Sequence, residues 1–176
     1  RAFDPLFDEL NKRNAVVFVH PSILFGAEPI KGMPPFVADF LLDTTRAAIR
    51  LAGSGTLERC ADLKIILSHA GGFVPYAAYR IAVAAGLNRD LDSGLAQLRK
   101  FYFDLALSAS PTALPSLFAF ADPSHVLFAT DWPYANDAVV GTFEGLYTSY
   151  AMSGAQRASI DRGNAEALFP RLRGGR

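Results

Sequence analysis

Cysteine is nearly absent from this chain of 176 residues: Cys60 stands alone, so neither an intrachain disulfide nor a zinc site built from paired thiolates is available to it. A lone cysteine fits a reducing compartment, and a cytoplasmic location is expected. Net charge is absent too. Seventeen Lys and Arg offset seventeen Asp and Glu, leaving no overall field to draw in nucleic acid or an anionic membrane surface. No apolar run approaches the ~18 residues of a membrane span. The opening Arg1-Ala2-Phe3-Asp4-Pro5 lacks the charged-then-apolar order of a secretory signal. The first residue is not Met, and the expectation is that the natural start lies upstream. With no repeats and no low-complexity segment, what remains is a globular chain whose partner is a small molecule or another protein.

Apolar residues, by contrast, are plentiful at 51%, enough for one domain with a sizeable core built on buried sheet. Four short apolar runs each end on a histidine or an aspartate. Val16-Val17-Phe18-Val19 stops at His20-Pro21, and Lys64-Ile65-Ile66-Leu67-Ser68 at His69-Ala70-Gly71-Gly72. Phe101-Tyr102-Phe103 runs into Asp104, and Leu127-Phe128-Ala129-Thr130 into Asp131-Trp132-Pro133. Proline has no N–H to continue a ladder, so Pro21 and Pro133 mark ends of pairing.

Helical patterns fill the intervals. Leu6, Phe7 and Leu10 open the chain, and Phe36 to about Leu51 follows a loop over 21–35 rich in Pro and Gly. A short helix is expected over Thr56 to Cys60, and another carries Val74, Ala77, Ala78, Ile81 and Ala85. Pro111 opens one through Leu114, Leu117 and Phe120, and two more are expected over about 138–151 and 155–168. The strands are placed at 15–19, 64–68, 101–105 and 125–130. Short, continuously apolar strands alternating with helices predict a parallel sheet buried on both faces.

In such folds the reactive groups lie beyond the carboxyl ends of the strands, where the loops converge. His20, His69, Asp104 and Asp131 all obey that rule. Neutral imidazole and carboxylate both present lone pairs to a zinc-like ion, so His20, His69 and Asp131 are candidate ligands. The plainer reading of each is a turn former or a cap, but four of them at four strand ends favour a site. Asp104 either holds a turn or acts in catalysis. Trp132 and Tyr134 either line a pocket or pack, Arg80 reads as a surface charge, and His125, which precedes its strand, as surface at the opposite end. Gly71-Gly72 is expected to let the backbone approach a ligand and to open a helix N-terminus toward an anion.

On His69-Ala70-Gly71-Gly72, Thr130-Asp131-Trp132-Pro133 and Val17-Phe18-Val19-His20-Pro21, the chain resembles the amidohydrolase-2 family, in its aminocarboxymuconate-semialdehyde and salicylate-type decarboxylase branch. Leu42-Asp43-Thr44-Thr45-Arg46, the segment from Gly53 to Leu63 and Gly163-Asn164-Ala165 extend the likeness over nearly the whole chain, although Ala129 stands where the family has Gly or Ser. The resemblance implies an α/β fold, a (β/α)8 barrel of which this chain supplies strands five to eight, with residues 1–170 as its C-terminal half and 171–176 as a tail. It also implies that His20 and Asp131 hold a divalent metal, zinc or else manganese, and that His69 is the catalytic histidine, with Asp131 sharing proton transfer. Arg80 falls where such decarboxylases send an arginine into the neighbouring subunit's site, and Trp132 lies where substrate would bind. The paired strand-one ligands of the family, His-x-His or Glu-x-His, occur nowhere in the sequence.

The activity this implies for the intact protein is metal-dependent, non-oxidative loss of CO2 from a small aromatic or unsaturated carboxylic acid. Hydrolysis of a lactone, ester or amide by the same residues is the alternative, and an inactive half-barrel lacking strand one is another. An open half-sheet exposes its edges to another chain, so a homodimer or higher homo-oligomer is expected.

Overall fold

The computed structural model describes residues 2–26, 28, 30–84 and 90–173. Four parallel strands form one sheet in the order β1-β2-β3-β4: β1 (Val16–Val19), β2 (Lys64–Leu67), β3 (Tyr102–Asp104) and β4 (Val126–Leu127). Val19 pairs with Leu67 and Leu67 with Phe103, while Asp104 pairs with Leu127, so the strands end near one level. Each spatial neighbour is the next strand in sequence, with helices in every crossover, the arrangement of half a (β/α)8 barrel.

Helix α1 (Asp4–Lys12) leads into β1. A 3-10 turn (Pro35–Val37), α2 (Asp39–Gly53) and α3 (Thr56–Arg59) join β1 to β2. Helices α4 (Val74–Ala84) and α5 (Leu91–Leu98) join β2 to β3, and α6 (Ala113–Phe120) joins β3 to β4. After β4 come α7 (Asp137–Ser149), α8 (Gly154–Ala158), a π-helical segment (Ser159–Gly163) and α9 (Asn164–Leu168). No helix among the described residues is long and apolar enough to cross a membrane.

Side chains alternate across the strands, as a period of two requires. Ile65, Leu67, Phe103 and Val126 enter the core beneath the helices, with Leu98, Leu114 and Leu117 fully buried against them. Burying each such side chain contributes about 1.5–3 kcal/mol. Phe18 points to the other face and is 53% exposed, so the sheet is buried on both faces at β2 and β3 but not at the edge strand β1.

Four expectations are corrected. The last strand does not run over 125–130: the ladder ends at Leu127, which accepts from the Leu105 N–H, and the Phe128 N–H turns away to the Ile160 carbonyl at 3.1 Å. Helix α5 was not among the expected helices; the missing side chain of Gly94 lets α5 approach α4, where a Cβ would stand 2.9 Å from that of Ala82. Asp90 caps it, accepting from the Ser93 N–H. Pro111 lies in the turn before α6 rather than in its first turn. His125 is half-buried rather than a free surface residue, stacked on Tyr102 with ring centroids 4.0 Å apart. Ala85 and residues 174–176 of the expected tail lie outside the described residues.

Candidate active site

Strand ends build the site. The Ser68 N–H donates to the Val19 carbonyl at 3.2 Å, and Pro21, having no N–H, cannot extend the pairing. The chain turns aside at His20, and the loop is tied down where the Ser22 N–H donates to Asp43 Oδ2 on α2. His69 and Ala70 both adopt φ of +55°, and Asp131 adopts +67°, a left-handed region that non-glycine residues seldom enter. Such conformations persist only where surrounding contacts enforce them, and they gather at functional sites.

The enforcing contact for His69 is Asp104. Asp104 Oδ1 accepts from the main-chain N–H of His69 at 2.9 Å and from that of Ala106 at 3.0 Å. Its carboxyl is 2% exposed, and burial pushes it up to about 6 against those two donors. Asp104 is thus a holder of the His69 turn, a role its sequence position alone left open.

Two imidazoles take the same orientation. His69 Nδ1 lies 3.0 Å from the Ala106 carbonyl and His20 Nδ1 2.9 Å from the Pro21 carbonyl. A carbonyl only accepts, so both Nδ1 atoms carry the proton and both Nε2 atoms keep a lone pair. His69 Nε2 is buried with no hydrogen-bond partner. His20 Nε2 stands 3.9 Å from Asp131 Oδ1, too far for a hydrogen bond, and the two rings meet edge-on at 5.4 Å. Donor atoms of His20, His69 and Asp131 all fall within 4.8 Å of one another. Two imidazoles and a carboxylate suit a divalent ion of borderline hardness, and the unpartnered His69 Nε2 is open either to such an ion or to a proton.

Arg80 is exposed on α4, and Trp132 is 66% exposed beside Asp131, followed by a cis peptide bond to Pro133. Gly71 and Gly72 serve packing rather than a ligand. A Cβ on Gly71 would meet the Phe103 ring at 2.8 Å, and one on Gly72 the Leu41 carbonyl oxygen at 2.3 Å. The N–H just before α4, that of Phe73, is taken by Thr45 Oγ1. A cleft of about 250 Å³ adjoins His69, bounded by Phe36, Leu41, Leu107, Val139 and Phe143. A larger one, about 440 Å³, opens at the other end of β4 beside Pro123, Val126 and Asn164, and no titratable group lines it.

A family model described as amidohydrolase matches residues 1–171, nearly the whole chain. The chain belongs to the amidohydrolase family. It is 40% identical to the 6-methylsalicylic acid decarboxylase of Penicillium expansum, a match covering 98% of this chain and 55% of the relative. Among solved structures, an amidohydrolase II superposes with a TM-score of 0.81 at 29% identity, covering 94% of this chain and 55% of that one. A dihydroxybenzoic acid decarboxylase from Polaromonas, crystallised with manganese and 2-nitroresorcinol, gives a TM-score of 0.75 at 23% identity, covering 94% and 53%, and shows the likeness of fold alone. The chain therefore spans about half the length of the amidohydrolase relatives it matches.

Proposed function

We propose that residues 1–170 are the C-terminal half of an amidohydrolase barrel whose whole protein is a metal-dependent, non-oxidative decarboxylase of a small aromatic carboxylic acid. The observation that carries this reading is 40% identity across 98% of the chain to a decarboxylase of such an acid. The geometry supports it through three donors with free lone pairs at one point.

In this reading His20 and Asp131 hold a divalent ion, zinc or, as in the structural neighbour of the same fold, manganese. The bound ion supplies positive charge to fix the substrate's oxygens. His69 moves the proton. Its Nδ1–H is anchored on the Ala106 carbonyl, so Nε2 is the atom that gains and gives it. As the bond to the carboxylate carbon breaks and CO2 leaves, the electron pair stays on the ring carbon, and Nε2 of the imidazolium delivers a proton there. Water then restores the proton to His69. Asp131, next to the reacting centre, shares proton transfer while remaining a ligand.

Arg80 and Trp132 are assigned to substrate binding, Arg80 by reaching the carboxylate in a neighbouring subunit of a homodimer or larger homo-oligomer. In this account residues 1–176 need the rest of the barrel for activity, because β1 and β4 are open edges and the cluster gathers three donors among the described residues. A cytoplasmic location accords with the single, buried, unpaired Cys60.

The test is an assay of the whole protein for CO2 release from substituted benzoic acids, with lactones in parallel. CO2 release supports the decarboxylase; lactone hydrolysis without it would overturn the reading. Sedimentation over a range of concentrations checks the oligomer, and a monomer at every concentration contradicts it.

A further inference from the structure

The cavity of about 440 Å³ lies at the far end of β4 from Asp131. Its walls come from α6, the turn before β4, β4 itself and the run from α8 through the π-helical segment to α9. Phe118, Ala121, Val126 and Ile160 make those walls apolar, and the last three are buried. A charged ligand would shed its water there with no counter-charge to meet it, so the fitting occupant is neutral. An engineered cavity of about 150 Å³ admits benzene, so one substituted ring fits with room to spare.

The π-helical segment shapes the polar side. The Asn164 N–H bonds to the Ser159 carbonyl, five residues back. In an α-helix it would take the Ile160 carbonyl, which instead accepts from the Phe128 N–H of the chain leaving β4. Such π turns are rare and frequent at functional sites. Asn164 is 7% exposed, and its amide nitrogen gives both hydrogens to the carbonyls of Pro123 and Val126. Two carbonyl neighbours fix which end of the amide is nitrogen, and Oδ1 is left as an acceptor with no hydrogen bond among the described residues. That oxygen is not sealed off, and the space Asn164 borders is the cavity. Gln156, also in the wall, makes no side-chain hydrogen bond among the described residues either.

We propose that this cavity is a binding site for a small phenol, whose O–H donates to Asn164 Oδ1 and whose ring rests on Phe118, Val126 and Ile160. A phenol carries one strong donor on an otherwise apolar body, the complement of one acceptor among apolar walls. A ligand without a donor leaves Oδ1 unsatisfied once water is displaced, and one with several polar groups loses water that it cannot replace. The site does not depend on the decarboxylase reading. It does touch β4: Asn164 holds Val126, and Ile160 holds Phe128, three residues before Asp131, so an occupant braces the strand that leads to that carboxylate.

The experiment titrates phenol into the whole protein by calorimetry, with anisole, which keeps the ring and the oxygen but lacks the O–H, in parallel. Phenol should bind at least about fivefold more tightly, the factor that one neutral hydrogen bond supplies. Ala121→Leu and Gln156→Trp fill the cavity, and each should weaken phenol binding about tenfold or more, with a thermal melt near that of the parent protein showing that it folds. A crystal of the whole protein soaked in 4-bromophenol, read by the anomalous signal of bromine, locates the ligand even where a variant fails to fold. The bromine is expected in the cavity beside Asn164. No binding, anisole bound as tightly as phenol, binding unmoved by both folded variants, or bromine found only at His69 would each overturn the proposal.

Discussion

The main-chain N–H of His69 donates to Oδ1 of Asp104 at 2.9 Å, joining the ends of two adjacent strands that are 35 positions apart in sequence. The same oxygen accepts from the Ala106 N–H, and the Ala106 carbonyl in turn accepts from His69 Nδ1. One carboxylate therefore holds both the backbone and, at one remove, the ring of His69.

Removing it should cost stability. Asp104→Ala strands two buried N–H groups, and urea denaturation should show a loss of about 2 kcal/mol or more. Asp104→Asn keeps an acceptor at the same place and should lose less. Because burial raises the Asp104 carboxyl to about 6, above its unfolded value, the stability of metal-free protein should fall as pH rises from about 4 to about 6. Asp104→Asn should flatten that slope, and an unchanged slope would show another group responsible.

The glycines separate into two kinds. Gly72 combines φ of +63° with a Cβ position 2.3 Å from the Leu41 carbonyl oxygen, so Gly72→Ala should destabilise by roughly 3 kcal/mol or more. Gly55, at φ of +75° but facing open space, should lose only about 1 kcal/mol as Gly55→Ala. Thermal melts of the two variants give the comparison directly.

Asn164 anchors the C-terminal helices to β4. Its side-chain amide donates to the carbonyls of Pro123 and Val126, each at 2.8 Å. Asn164→Asp replaces the donor with an acceptor facing two carbonyl oxygens, and a loss of about 2–3 kcal/mol is expected in the same denaturation assay. Asn164→Ala should fall between the variant and the parent chain.

His20, His69 and Asp131 were legible because each interrupts an apolar run, which is a local feature of sequence. That they meet within 4.8 Å follows from parallel strands ending at one level, which the alternation of strands and helices predicts. That Asp104 holds a turn was one of two readings of its position; that the turn is that of His69 was not legible, since its partners lie on another strand and in the following loop. Leu107 gave no signal either: a positive φ at leucine leaves no mark in composition or periodicity. Gly71 and Gly72 misled for one shared reason. Sequence shows that glycine can bend or open a chain, and only the packing shows that Phe103 and the Leu41 carbonyl occupy the space of the missing side chains.

The central claim is that His69 moves protons while His20 and Asp131 hold the ion. Its most direct test measures bound divalent metal and CO2 release together in the whole protein and in its His69→Ala variant. The account predicts metal content near that of the parent protein with turnover abolished. Loss of metal together with activity would contradict it and make His69 a ligand instead.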